Sequence, residues 1–314
     1  MNDLPTQAIS GCLDLKHNSN TYTIVSIMNL ERKIKLIECP RDAMQGWQVL
    51  IPTKKKVAYI NSLLKVGFDS IDFGSFVSPR AIPQMADTKE VVTRLHMEDS
   101  RTKLLAIVAN ERGAEDAVLH DVIHYLGFPF SVSETFQQRN THSSIQESLV
   151  RVEEIQNLSI KNRKELVVYL SMGFGNPYGD RYSEEIVFGW ADKLAAMDIK
   201  IISLADTVGL ATADQVGSMT RYLVGALPEV EIGVHLHSTR TNYKQKLDAA
   251  ISAGCKRFDG ALKGIGGCPM AGNDLVGNMD TELMVVRFNE LDLEHGLDQD
   301  ALRECSRLAG ELFI

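Results

Sequence analysis

Several features are scarce or missing in this chain, and each absence excludes something. Among its 314 residues only five are cysteine (Cys12, Cys39, Cys255, Cys268 and Cys305), and none stand in a Cys-x-x-Cys pair. A zinc ribbon is thereby excluded, and an odd, scattered count suits a reducing compartment such as the cytoplasm better than a disulfide framework. Basic residues are outnumbered, 33 Lys and Arg against 41 Asp and Glu, for a formal net charge of −8. A nucleic-acid partner is not expected from that balance. No apolar run approaches the roughly 20 residues that cross a bilayer, so no membrane partner is expected either. Residues 1–28 lack the basic start and small-residue cleavage site of a secretory signal. We expect an irregular extension there, or translation beginning at Met28, ahead of one domain over residues 29–314.

What is present is alternation. The 44% hydrophobic content is enough for one large core. Strand-like runs fall at residues 33–38, 68–73, 103–109, 128–133, 165–171, 199–204, 231–236 and 256–261. Helix-like stretches separate them at 53–65, 86–97, 115–126, 144–162, 182–196, 212–227 and 244–253. Gly67, Gly127 and Gly254 are expected to stop helices, and Ser183 to cap one. Eight strands alternating with helices predict a (β/α)8 TIM barrel with extra C-terminal helices. A doubly wound sheet would carry Gly-x-Gly-x-x-Gly after its first strand, where this chain has Cys39-Pro40-Arg41-Asp42. Residues 280–313 are expected to form an appended lid or a dimer element, and we expect a homodimer.

Chemistry in such a barrel sits at the C-terminal ends of the strands. The seventh strand ends in His235-Leu236-His237. Residues two apart on a strand face the same way, so both imidazoles leave it side by side. The pair alone fits either one metal ion or two hydrogen-bonded histidines. The first strand delivers Glu38, Arg41, Asp42 and Gln45, the second Asp72 and Ser75, the fifth Asn176, and the sixth Asp206. Asp42 with His235 and His237 makes a carboxylate and two imidazoles, a set that binds Mg²⁺, Mn²⁺, Fe²⁺ or Zn²⁺ with positions left open. Arg41 can clamp a carboxylate or steady a developing oxyanion, or pair with Glu38 or Asp72. Asp206 can orient a ligand or cap the next helix. Cys268, between Gly264-Ile265-Gly266-Gly267 and Pro269, lies in a loop, where its thiol can serve as an acid or base or be inert. Cys39 and Cys255 read as core filler.

Four segments together resemble the 3-hydroxy-3-methylglutaryl-CoA lyase family, within the metal-dependent lyase and synthase TIM-barrel superfamily. They are Pro40-Arg41-Asp42 with Gln45; Ser75-Phe76-Val77-Ser78-Pro79 with Pro83-Gln84-Met85; His235-Leu236-His237; and Gly264 to Pro269 with Gly277-Asn278. The likeness runs over residues 33–282. It implies Asp42, His235, His237 and Asn278 as ligands of a divalent ion, Mg²⁺ or Mn²⁺. It implies Arg41 as stabiliser of a thioester enolate, Cys268 as acid/base, and Asp206, Asp72 and Glu282 as further activity residues. Gln45, Ser75 and Asn176 are the expected substrate contacts. The implied reaction cleaves a 3-hydroxy-3-methylacyl-CoA to acetyl-CoA and a keto acid, as in leucine degradation. A condensing acyltransferase of the same superfamily is the alternative. The chain departs from the family in Asp72 for the usual glutamate, Gly46-Trp47 for Asn-Glu, and Ser238 for Asp or Asn. These departures bear on substrate preference.

Overall fold

Short runs rich in Val, Ile and Leu bury both faces only when helices cover one side and the sheet curls to cover the other. The computed structural model describes residues 32–267 and 276–314, and residues Ile34–Ile314 form one unit. Its eight parallel strands are β1 (Lys35–Glu38), β2 (Ser70–Ser75), β3 (Lys103–Ile107), β4 (Ile123–Ser131), β5 (Glu165–Ser171), β6 (Ile201–Ala205), β7 (Glu231–His235) and β8 (Arg257–Gly260). They follow one another in sequence order, and β8 pairs with β1 in register from Lys35–Arg257 to Glu38–Gly260, closing the barrel. Closure rules out the doubly wound alternative, whose sheet is open.

The helices after β1 are α1 (Pro40–Gln45) and α2 (Thr53–Leu63). Then come α3 (Thr88–Val92), α4 (Glu111–Val118), α5 (Glu134–Thr141), α6 (Ile145–Lys161), α7 (Glu184–Ala196), α8 (Ala213–Ala226) and α9 (Tyr243–Ser252). After β8 come α10 (Thr281–Glu290) and α11 (Gln299–Leu312). Their starts are written locally. Ser144 and Thr212 make capping boxes with Glu147 and Gln215, and Ser183 accepts from Ile186 N–H as expected of a cap. Strand alternation divides the core. Leu105, Ile107, Tyr125, Val167, Tyr169 and Ile201 fill the barrel interior, whereas Leu104, Ala106, Leu126, Val168 and Ile202 join the larger layer beneath the helices. Cys39 and Cys255 are buried, as core filler should be.

Two expected helices change. The helix expected at 115–126 ends at Val118, and β4 already begins at Ile123. Gly127 therefore stops nothing. It lies inside β4, where an added Cβ would come within 2.5 Å of Ile107 Cδ1. The helix expected at 86–97 is only five residues long, Thr88–Val92. Of the final helices, α11 packs against α2, and α10 and α11 both meet the turn after β8. Phe313, after α11, meets Trp47 and Tyr59 edge-on at ring-centroid distances of 5.3 and 6.3 Å. The Cys305 thiol lies 3.2 Å from Ser62 Oγ on α2. The expected extension at 1–28 and the start at Met28 fall outside the described residues.

Candidate active site

One cavity of about 560 Å³ opens at the C-terminal ends of the strands, lined by Arg41, Asp42, Gln45, His235 and His237 with side chains from β3 to β6. Arg41 and Asp42 lie on α1, whose Pro40 sits in the first turn and lacks an N–H that would go unpaired there anyway. Arg41 is the centre of the first-strand cluster. Its Nε donates to Asp72 Oδ1 at 3.2 Å and Oδ2 at 3.0 Å, and its Nη2 to Asp72 Oδ2 at 2.5 Å. Its Nη1 donates to Asp42 Oδ1 at 3.0 Å and to Gln45 Oε1 at 2.8 Å. Of the two partners the sequence offered for Arg41, Asp72 is the one it meets. A guanidinium has five N–H groups, so one Nη2 hydrogen stays uncommitted among the described residues, on a side chain that lines the cavity. Burial pushes the Asp72 carboxyl above its ordinary value while Arg41 pulls the other way. Asp72 itself does not line the cavity; it holds Arg41 from beneath.

The two imidazoles stand with ring centroids 5.4 Å apart. His235 Nδ1 lies 3.2 Å from Asp259 Oδ2. A carboxylate can only accept, so Nδ1 carries the hydrogen and Nε2 is left as the free nitrogen. Burial opposes charge on His235, yet the bond to Asp259 raises its pKa above the ordinary value. His237 goes the other way: burial, with His235 beside it, lowers it to about 4, so at pH 7 it is neutral with a lone pair to give. Burial alone would raise Asp42, but Arg41 and both histidines outweigh it and hold the carboxyl at about 2. Asn278 Nδ2 donates to Asp42 Oδ2 at 2.7 Å and to Ile265 O at 2.9 Å. Gly266 permits that approach, since its φ is +107° and a Cβ there would lie 2.4 Å from Asn278 Nδ2.

The donor set fits a divalent cation. Asp42, His235 and His237 each present one ligand atom, all within 4.8 Å of one another. Two buried atoms beside them, His237 Nδ1 and Asn278 Oδ1, have no hydrogen-bond partner, and buried polar atoms are seldom left so without an ion or water to meet them. Carboxylate, imidazole and amide oxygen are donors suited to a borderline or hard divalent ion.

The remaining expected residues sit elsewhere. Asp206 lies behind the seventh strand, its Oδ2 2.7 Å from Lys246 Nζ and its Oδ1 accepting from Ala211 N–H at 3.0 Å. Asn176 folds back on its own turn, accepting from Tyr178 and Asp180 N–H at 3.0 and 3.1 Å. Glu282 accepts from Lys263 N–H at 3.0 Å and from Ser306 Oγ, joining the turn after β8 to α10 and α11. Ser75 is buried in β2, its Oγ without a partner. None of these four lines the cavity. Cys268 lies outside the described residues. Sequence reading missed Asp259, Lys246 and Tyr169. A charged residue within a four-residue buried strand, and a lysine among buried helix positions, were the available signals for the first two.

The family model described as HMGL-like matches residues 33–309. The chain belongs to the HMGL-like family. Among its relatives, the cytoplasmic 3-hydroxy-3-methylglutaryl-CoA lyase of Rattus norvegicus is 30% identical, over 95% of this chain and 85% of that protein. Hydroxymethylglutaryl-CoA lyase YngG of Bacillus subtilis is 32% identical, over 89% of this chain and 93% of its own length. A solved HMG-CoA lyase from A. baumannii, in complex with coenzyme A and 3-methylmalate, superposes with a TM-score of 0.84 at 32% identity, covering 90% of this chain and 92% of that one. As an HMGL-like protein, the chain carries the family's domain over residues 33–309, with Asp72 under Arg41 and Lys246 against Asp206. No described helix is long and apolar enough to cross a membrane.

Proposed function

We propose that this protein is a divalent-metal-dependent carbon–carbon lyase acting on a 3-hydroxy-3-methylacyl-CoA, with 3-hydroxy-3-methylglutaryl-CoA the first substrate to test and acetyl-CoA and acetoacetate the products. The observation that carries this is the convergence of Asp42, His235 and His237 on one point of a cavity that Arg41 also lines. Family membership and the CoA-bound structural relative support an acyl-CoA ligand. Asp42, His235, His237 and Asn278 would hold the ion, Mg²⁺ or Mn²⁺, which when bound supplies the Lewis acidity that makes a tertiary hydroxyl easier to ionise.

The protein's own groups account for the rest. Asp259 fixes His235 so that Nε2 faces the site. Cys268, proposed as the acid/base, would take the 3-hydroxyl proton; the hydroxyl's electrons then form the ketone as the C2–C3 bond breaks, and the bonding pair becomes a thioester enolate. The uncommitted N–H of Arg41 is held rigidly by Asp72 and needs no reorganisation to meet that negative charge. Cys268 is proposed as the acid that protonates the enolate carbon, giving acetyl-CoA. We place the protein in the cytoplasm and expect a homodimer.

The test is purified protein with Mg²⁺ or Mn²⁺ and a panel of branched 3-hydroxyacyl-CoA thioesters, including HMG-CoA and citramalyl-CoA, assayed for acetyl-CoA. A relative from Chloroflexus aurantiacus, 32% identical, is named (R)-citramalyl-CoA lyase, which motivates the second thioester. Metal-dependent release from one of them is the expected result. Condensation of acetyl-CoA with a keto acid, without cleavage of any panel member, would instead favour the acyltransferase.

A further inference from the structure

Asp206 does not line the cavity, yet it is linked to both histidines at the end of the seventh strand, directly to His235 and through Lys246 to His237. Its backbone N–H donates to the His235 carbonyl at 2.9 Å. Its carboxylate pairs at 2.7 Å with Lys246 Nζ on α9, and that ammonium donates in turn to the His237 carbonyl at 2.8 Å. Both side chains are almost wholly buried, 3% exposed for Lys246 and 1% for Asp206. A lysine is a poor neighbour for a bound cation. Here its charge lies against the backbone of a residue whose ring is turned to the site, in surroundings where water screens little.

We propose that Lys246 and Asp206 form a charge-neutral clamp that sets the position of His237, with Asp206 cancelling a lysine charge that would otherwise repel the ion. This rests on the reading of His237 as a metal ligand. Both are positioning residues. The ammonium anchors the His237 carbonyl, and the carboxylate anchors the ammonium. Loss of the carboxylate leaves a buried cation uncompensated beside the site, whereas loss of the ammonium leaves an anion there. The two substitutions should therefore act in opposite directions on cation affinity, which a purely structural ion pair would not do.

The experiment is calorimetric titration of Mn²⁺ into the full chain, with thermal melting in chelator to show that each variant is folded. Asp206→Asn is expected to weaken Mn²⁺ binding by ~10-fold or more, the usual effect of disturbing groups behind a ligand. Lys246→Gln, which keeps a donor for the carbonyl and leaves the anion, is expected to bind Mn²⁺ more tightly than wild type. Weakening by both to the same degree, or wild-type affinity in a folded Asp206→Asn, would overturn the clamp while leaving the metal site in place. Should Asp206→Asn fail to fold, Lys246→Gln decides: tighter binding supports the proposal, and unchanged or weaker binding overturns it. Wild-type protein that binds no Mn²⁺ would remove the metal reading and this inference with it.

Discussion

Asn278 Nδ2 donates to Asp42 Oδ2 at 2.7 Å, so the segment after the eighth strand is tied to the helix after the first, across 236 positions of sequence. The bond fixes the carboxylate that Arg41 and the two imidazoles already hold ionised. It also leaves Asn278 Oδ1 buried without a partner, next to His237 Nδ1 in the same condition.

That arrangement makes Asn278 a test of the metal site. Asn278→Ala removes the amide oxygen and frees Asp42 on one side. Mn²⁺ affinity is expected to fall ~10- to 100-fold by calorimetry. Asp42→Asn is expected to abolish binding within the measurable range. Activity lost to a chelator should return when Mn²⁺ is added back to the wild type.

Asp259 holds the hydrogen of His235 Nδ1, and with it the orientation of the ring. Asp259→Asn can present its amide N–H to the same nitrogen and so favour the wrong tautomer. Mn²⁺ affinity is expected to drop by ~10-fold or more, with the melting temperature in chelator changing far less than in Asp259→Leu. Equal Mn²⁺ affinities in wild type and Asp259→Asn would contradict this role.

Cys268→Ala is expected to lower turnover by at least ~10²-fold, the usual contribution of acid/base catalysis, while leaving Mn²⁺ binding intact. A near-normal rate would take the thiol out of the reaction.

Glu38 gives the pH prediction. Burial raises its carboxyl from an ordinary 4.5 to about 8, against hydrogen bonds from Leu262 N–H at 2.8 Å and Thr281 Oγ1 at 2.6 Å. The folded state thus holds this proton more tightly than the unfolded chain. The associated stability is fully present below about pH 4.5 and is lost as pH rises through about 8. Glu38→Gln can accept from Leu262 and donate to Thr281 with no charge to bury. Its advantage over wild type in denaturant melts should grow across that window, to a few kcal/mol at about 1.4 per pH unit, and then level off. A gap that stays constant from pH 5 to 8 would show that Glu38 does not titrate in this way.

The sequence alone determined the element order and the two ends of the site. Alternating apolar runs, Ser and Thr caps and the absence of a dinucleotide turn specify an eight-fold strand–helix repeat, because strand and helix periodicities and caps are local properties. Residue type and spacing likewise marked Asp42 and the His235–His237 pair, since i and i+2 on a strand share a face. Only the tertiary structure decided what stands behind them. Asp259 meets His235 because β7 and β8 run in the register that pairs those two residues. Lys246 meets Asp206 because α9 packs beside the turn after β6, and Asn278 reaches Asp42 because the barrel closes. Gly127 shows the same limit within one element: a glycine after an apolar run reads as a helix stop, but here it makes room for Ile107 inside a strand. Partners far apart in sequence leave no periodic trace, so a buried charge can be seen in the chain while the group that balances it cannot.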